Sequence, residues 1–402
     1  MLEEVPYNNK RPLEADEQQA VLRKSSKLSD NAEEEEMQMD IDCEQNHGAE
    51  IPDSSLLIYQ LGRDISINCL LRCSRSDYGS IAALNRSFRD LIRSGELYRI
   101  RRQMGIVEHW VYFSCNVQEW EAFDPNRGRW MHLPAMPPNH CFMCSDKESL
   151  AVGTELLVFG KEIKAHVIYR YSILTNVWTF GTQMNFPRCL FASASIGHIA
   201  ILAGGCDPRG IILSTAELYN SDTGSWETLP SMNKPRKMCS GVFMDGKFYV
   251  IGGIGVDHLE LLTCGEEFDL KTRKWREIPN MFPRAEGAAR RGTTEAPPLV
   301  AVVNNRLYAA DYARQEVRRY DKGRNSWVII GRLPEGASSM NGWGLAFRAC
   351  GDRLIVIGGP TCYGVGTIDI NACVPGEGAV QWNLLARRQS GTFVYNCAVM
   401  GC

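Results

Sequence analysis

Few residues in this chain have types and spacings that could do chemistry. His140 stands beside Cys141-Phe142-Met143-Cys144, which puts two thiols and an imidazole within five residues. A zinc site needs four ligands at suitable spacing, and no second pair follows nearby, so these read as buried structural thiols and no metal is expected. Pro187-Arg188, Pro235-Arg236 and Pro283-Arg284 place three arginines 48 residues apart. Arginine grips a carboxylate through two parallel N–H donors, so a ring of guanidinium groups would suit an acidic peptide. The same arginines could instead hold backbone carbonyls inside a repeated fold. Gly342-Trp343-Gly344 and Gly364-Val365-Gly366 read as turns in β surroundings. No GxSxG, Walker or GxGxxG element stands in a strand–loop–helix context. Neither catalysis nor a cofactor is expected.

What positions the arginines is a repeat. Trp130, Trp178, Trp226, Trp275, Trp327 and Trp382 are separated by 48, 48, 49, 52 and 55 residues. Seven residues before the first five stands an aromatic: Phe123, Tyr171, Tyr219, Phe268 and Tyr320, each followed by Asp or a small polar residue. Apolar runs end in Gly204-Gly205, Gly252-Gly253 and Gly358-Gly359. Glycine is needed where strands crowd or where φ is positive. Five or six copies in register resemble the kelch family, whose period is about 50 residues. The resemblance implies a mainly β protein, a six-bladed propeller over about residues 106–402, each blade a four-stranded antiparallel sheet. His109–Phe113 opens the first blade with no strand upstream. The C-terminal segment Thr392–Val399 is expected to supply that strand and close the ring, removing two open sheet edges.

The rest of the chain is of different material. Residues 1–53 hold 15 acidic and 5 basic residues, a net −10, whereas the whole chain carries only −3. So polar a segment cannot bury enough apolar surface to order itself and is expected to be a disordered acidic tail. Within it, Lys10-Arg11 and Arg23–Lys27 fit a bipartite nuclear-import spacing, which points to the nucleus as well as the cytoplasm. No secretory signal and no apolar run of about 18 residues is seen, so neither export nor a membrane partner is expected. The scattered cysteines suit a reduced, intracellular protein. Nothing marks a nucleic-acid partner.

Residues 54–105 change texture again, being rich in Leu, Ile and Arg. Ile81, Leu84, Phe88 and Leu91 fall at steps of three, four and three, a stripe on one helix face, and Ser76-Asp77 suits a helix start. Leu61-Gly62, Asp64-Ile65, Cys69-Leu70, Arg72, Asp77-Tyr78 and Leu84-Asn85-Arg86-Ser87-Phe88-Arg89-Asp90-Leu91-Ile92 resemble the F-box, with Gly62, Phe88 and Cys73 departing from its usual Pro, Trp and Leu. A small all-α domain is therefore expected here. The resemblance implies docking to a Skp-type adaptor, and through it to a cullin and a RING protein, by apolar anchors in a groove. Leu61, Ile65, Leu70, Leu84, Phe88 and Leu91 are the candidate anchors.

An F-box followed by kelch blades is the layout of the plant F-box/kelch-repeat proteins, which Arg75–Cys115 resembles in detail. That resemblance implies a non-catalytic substrate receptor of a ubiquitin ligase, with the connections between blades forming the substrate surface. Arg188, Arg236, Arg284 and Trp343 are the candidate substrate contacts, with Lys237, Arg290, Arg291 and Met340 in comparable or inserted stretches, and a protein substrate with an acidic degron is the expected partner. A propeller scaffold without a ligase, and a metal-dependent propeller enzyme, are the competing readings.

Overall fold

The computed structural model describes residues 57–58, 61–116, 118–137, 142–143, 148–162, 165–256, 261–282, 295–359 and 366–402. The acidic tail with its basic clusters Lys10-Arg11 and Arg23–Lys27, the trio His140, Cys141 and Cys144, and Arg284, Arg290 and Arg291 lie outside the described residues.

Five aromatic–tryptophan pairs, seven residues apart, build the outer hairpins. In each, the aromatic lies directly opposite its tryptophan across an antiparallel pair: Phe123 and Trp130, Tyr171 and Trp178, Tyr219 and Trp226, Phe268 and Trp275, Tyr320 and Trp327. Ring centroids in these pairs are 4.9 to 5.4 Å apart, a contact that adds about 0.5–1.5 kcal/mol beyond simple burial. The polar residue after the aromatic sets the turn. Asp269 Oδ1 accepts from the Lys271 N–H (2.8 Å), and Asp321 Oδ1 from the Gly323 N–H (2.9 Å). A left-handed residue completes each turn: Gly128, Asn176, Gly224, Arg273 and Asn325.

Each hairpin is the outer half of a blade. Six four-stranded antiparallel sheets form, as expected. The third runs outward through Ala192–Ile196, Ile199–Ala203, Ala216–Asn220 and Ser225–Leu229. The innermost strands touch in a ring: Asn396–Gly401, Ser149–Val152, Ala192–Ile196, Ser240–Met244, Leu299–Val303, Ala346–Cys350 and back to the first. The apolar core therefore lies between blades. Leu150, Leu157 and Phe159 of the second blade, for example, share a cluster with Phe191, Ala200, Leu202 and Tyr219 of the third. Tryptophan N–H groups tie the second to sixth blades to the connections before them: Trp178 donates to the Pro134 carbonyl (2.8 Å), Trp226 to Thr182 (2.9 Å), Trp275 to Pro230 (2.7 Å), Trp327 to Met281 (2.8 Å) and Trp382 to Arg332 (2.8 Å).

The closing strand is Asn396–Gly401, paired along His109–Ser114. It starts four residues later than the expected Thr392–Val399. The preceding stretch bends in beside it, with Tyr395 N–H donating to the Ser114 carbonyl and Thr392 Oγ1 to the Cys115 carbonyl.

The helical part also departs from the sequence pattern. Helices span Arg63–Arg72, Tyr78–Ala82, Arg86–Arg93 and Glu96–Gln103. The stripe Ile81–Leu91 is not one helix. Asn85 adopts an extended conformation, and its side chain caps a new helix by accepting from the Phe88 N–H at 2.9 Å. Leu84 is left in the break. Nor do the helices have a core of their own. Leu70, Leu71, Tyr78, Phe88, Leu91, Leu97 and Tyr98 share one cluster with Trp110, Tyr112, Tyr171 and Met400 of the propeller, and Leu57–Cys402 is one compact unit. Among the described residues no helix is long and apolar enough to cross a membrane.

Candidate protein-interaction site

Two ends of the propeller differ in what they carry. Turns between the first and second strands, and between the third and fourth, meet the helices. Arg129 Nη1 lies 3.2 Å from Asp77 Oδ1, Arg102 Nη2 3.4 Å from Asp222 Oδ1, and Leu174 lies under Gly95. The anchor is Arg75, buried, whose guanidinium donates to Tyr112 Oη (2.8 Å), the Glu108 carbonyl (3.2 Å) and Cys402 Sγ (2.9 Å) and lies over the Trp110 ring. Glu108 gathers further donors: Ser74 Oγ at 2.9 Å, Arg101 Nη2 at 3.0 Å and the Arg75 N–H. A buried charge is tolerated only with this degree of pairing.

Of the six residues chosen as adaptor anchors, three point inward. Leu70, Phe88 and Leu91 are at most 8% exposed, so they hold the helices to one another and to the propeller. Their spacing marked the buried stripe of a helix, which is what amphipathic spacing reports. Ile65 and Leu84 are exposed, 55% and 71%, and Leu61 is half-buried. These three leave apolar surface in water, where an isolated large aliphatic group gains most from a partner.

At the opposite end lie the connections between blades and the long loops between second and third strands. Here the arginine ring is corrected. Arg188 and Arg236 are at most 1% exposed, far from the surface role that the 48-residue spacing suggested. Arg188 donates to the Gly204 and Thr215 carbonyls (3.1 and 2.7 Å) and pairs with Glu217 at 2.9 Å. Arg236 repeats the arrangement with the Gly252 and Cys264 carbonyls (3.0 and 3.1 Å) and Glu266 at 2.8 Å. The glutamates in turn accept main-chain N–H groups of the connection: Asn185 on Glu217 (2.8 Å), Asn233 and Lys234 on Glu266 (2.7 and 3.0 Å). Each Arg–Glu pair thus clamps one connection to its blade. Trp343 is half-buried, its carbonyl accepting from Ser339 Oγ at 2.8 Å.

The glycine pairs belong to the same clamp. Gly204 and Gly205 have φ of 71° and 89°, and a Cβ there would sit 2.4 Å from the Arg236 and Cys189 carbonyl oxygens respectively. Only glycine lets the next connection pass so close.

What sequence reasoning missed on this end is apolar. Phe186, Ile211, Val256 and Leu261 are exposed in these connections and loops, beside Met340, which the sequence had already placed there. Lys237, half-buried, and Arg209, exposed and 3.2 Å from Asp207, are cations of the same connections and loops. Isolated aliphatics in loops carry no periodic signal, so only the fold brings them to one end. The central channel holds a cavity of about 260 Å³. Its described lining is Ser, Ala, Val, Pro and similar groups with Arg348, whose Nε donates to the Cys397 carbonyl at 3.1 Å, and it contains no His, Asp or Glu.

The chain thus joins an α-helical layer to a six-bladed propeller. The kelch motif model matches residues 187–233 and 235–282, the two copies with the full glycine and Pro-Arg pattern. The chain is 64% identical to the F-box/kelch-repeat protein At1g26930 of Arabidopsis thaliana over 87% of its own length and 84% of that protein. It is 62% identical to the F-box/kelch-repeat protein At1g74510 of the same plant (86% and 79%), and 63% to the F-box/kelch-repeat protein SKIP11 (89% and 78%). It belongs to the F-box/kelch-repeat family.

Proposed function

We propose that the protein is the substrate-recognition subunit of a Skp–cullin–F-box ubiquitin ligase. Family membership supports this, and one geometric observation carries it: the helical layer is fastened to one end of the propeller while Ile65 and Leu84 stay exposed. A Skp-type adaptor would take Leu61, Ile65 and Leu84 as apolar anchors, with cullin and RING subunits beyond it. The substrate would dock on the opposite end, on the loops that carry Phe186, Ile211, Val256 and Met340. That surface is more apolar than an acidic degron would call for, so the substrate class proposed is a protein segment with exposed aliphatic or aromatic side chains beside a carboxylate for Lys237 or Arg209. Residues of this chain would not take part in ubiquitin transfer; holding the substrate near the transfer machinery raises its effective concentration. Nuclear as well as cytoplasmic residence is proposed from Lys10-Arg11 and Arg23–Lys27.

Capture of a purified Skp-type adaptor by the full chain tests the reading. Ile65→Asp with Leu84→Asp is expected to weaken capture about 30-fold, since losing a buried hot spot costs roughly 2 kcal/mol or more. The thermal midpoint should hold, because both positions face water. Undiminished capture by the folded double variant overturns the anchor assignment; no capture by the unmodified chain overturns the ligase reading and leaves a propeller scaffold.

A further inference from the structure

Cys189 and Cys206 face each other at the loop end of the third blade. Cys189 follows Arg188 in the connection, and Cys206 follows Gly205 at the start of the loop. They exchange two main-chain hydrogen bonds, Cys189 N–H to the Cys206 carbonyl (3.0 Å) and Cys206 N–H to the Cys189 carbonyl (2.8 Å). Residues paired this way have Cα atoms about 5.5 Å apart, inside the roughly 4.4–6.8 Å that a disulfide requires. The two sulfurs are already 3.4 Å apart. Closing the bond needs a side-chain rotation and no rearrangement of strands.

Nothing in the repeat demands thiols there. The equivalent bridge of the fourth blade, 48 residues on, pairs Lys237 with Ile254, and that of the second blade pairs Met143 with Lys161. The fold makes the same bridge from a cation and an aliphatic group. Surrounding contacts hold the thiol pair in place: Leu190 has a φ of 59°, and its N–H donates to the Glu148 carboxylate, while Gly205 N–H donates to the Arg236 carbonyl at 2.8 Å. Cys206 is 7% exposed and Cys189 half-buried.

We propose that Cys189 and Cys206 form a modification site for hydroperoxides, oxidised reversibly to an intrachain disulfide. The Cys206 thiolate attacks one peroxide oxygen; an S–O bond forms, the O–O bond breaks, and the departing oxygen leaves as hydroxide. Cys189 sulfur then attacks the Cys206 sulfenic acid; the S–S bond forms, the S–O bond breaks, and the hydroxide leaves with the Cys189 proton as water. Two electrons pass from the thiols to the peroxide, and a dithiol reductant reverses the change. The division of roles follows from Cys189 Sγ, which also lies 3.8 Å from the Cys206 carbonyl; that oxygen can only accept, so the proton stays on Cys189 and Cys189 is the donor between the sulfurs. Donation from Cys189 holds Cys206 down at about 7 and pushes Cys189 up, and Lys237 favours the thiolate of both. This site stands whether or not the same end of the propeller binds substrate.

The test uses the full chain treated with hydrogen peroxide at neutral pH, then alkylated under denaturing conditions and digested with trypsin. Residues 189–209 form one tryptic peptide whose only cysteines are these two. It should appear lighter by two hydrogens than its reduced, unalkylated form, with no fragmentation between positions 189 and 206, and dithiothreitol should restore double alkylation. Oxidation of the pair should be complete at a dose of peroxide that oxidises the exposed Cys69. Cys189→Ser should leave a Cys206 sulfenic acid that dimedone traps, and Cys206→Ser should leave Cys189 reduced. A peptide still doubly alkylated at a dose that oxidises Cys69 overturns the proposal, and this arm needs no variant. Dimedone capture on Cys189 rather than Cys206 overturns the assignment of roles.

Discussion

Glu217→Gln isolates the clamp. The side chains of Glu217 and Arg188 are both fully buried and 2.9 Å apart. Glutamine keeps the shape and an oxygen for the Asn185 N–H, which Glu217 accepts at 2.8 Å. It removes the negative charge and leaves the guanidinium with carbonyl partners alone. Breaking a buried ion pair from one side costs about 3–5 kcal/mol, because the remaining charge has left water without compensation. At roughly 2 °C per kcal/mol for a long chain, the thermal midpoint should fall by about 6–10 °C. Pairing Glu217→Gln with Arg188→Met removes both charges, and the double variant should recover roughly half of the loss or more, the non-additivity expected of partners in contact. Differential scanning fluorimetry of the four proteins gives the cycle. A single variant within about 1 °C of the unmodified chain would refute the clamp, since no buried charge could be orphaned so cheaply. So would additive losses. A single variant that melts normally yet fails to bind substrate would restore Arg188 to the surface role that its spacing first suggested.

Three further outcomes follow from other contacts. Removing residues 396–402 takes away the inner strand paired along His109–Ser114 and bares two sheet edges, so the truncated chain should aggregate or be cut rapidly by protease within blade one; a soluble, protease-resistant truncation would contradict ring closure by this strand. Gly205→Ala forces a side chain into φ of 89° with its Cβ 2.4 Å from the Cys189 oxygen, whereas Gly210→Ala meets a φ of 86° with nothing within 4 Å. Conformation alone costs about 1–3 kcal/mol at each, so Gly205→Ala should melt well below Gly210→Ala, and equal midpoints would count against the close approach. Burial pushes the Glu267 carboxyl up, but hydrogen bonds from Arg276 (2.8 Å), Lys247 (2.9 Å) and Tyr249 outweigh it and hold the group at about 2, against an ordinary 4.5. A folded value below the unfolded one stabilises fully above about 4.5 and loses that stabilisation as pH falls towards 2. Acid titration of Glu267→Gln should therefore be shallower than that of the unmodified chain across this window, and parallel curves would show that Glu267 is not tightly paired.

Repeat architecture was legible because its marks are local. An aromatic and a tryptophan seven residues apart are opposite one another in a hairpin with a four-residue turn, as Tyr219 and Trp226 show, so the spacing encodes the pairing directly. The side-chain roles within the connections were not legible by the same means. Residues 181–191 are mostly coil, with no period of two or 3.6 to say which way Arg188 points. The signal that could have settled it lies in the neighbouring strand, where Glu217 and Glu266 each stand two residues before the aromatic, 49 residues apart. Alternate residues of a strand share a face, so an acid on the face of a buried aromatic requires a buried cation, and the repeated arginines were the cations available. Asn85 misled in the opposite direction. The apolar steps ran through it unbroken, and only its capping hydrogen bond to Phe88 N–H ends one helix and begins the next.

The helical layer and the closure of the ring turn out to be one construction. About 50 residues of short helices bury too little surface to stand alone, and here they pack on the first two blades, with Arg102 reaching Asp222 of the third. The first blade's inner strand is the closing strand itself: Glu108 and Cys402 exchange main-chain hydrogen bonds of 3.0 and 3.2 Å, and Arg75 reaches both residues as well as Tyr112. Glu108, bonded by Ser74, Arg75 and Arg101, stands where a flexible linker would have to be. Three charge-assisted bonds around one carboxylate, each stronger than a neutral bond, leave the helices little freedom to swing. In the proposed ligase this fixes the separation between adaptor and substrate. A rigid span gives a tethered substrate a high effective concentration only at lysines that the geometry reaches. Selectivity would then come from the loops that choose the substrate and from the Arg75–Glu108 junction that sets where it is held.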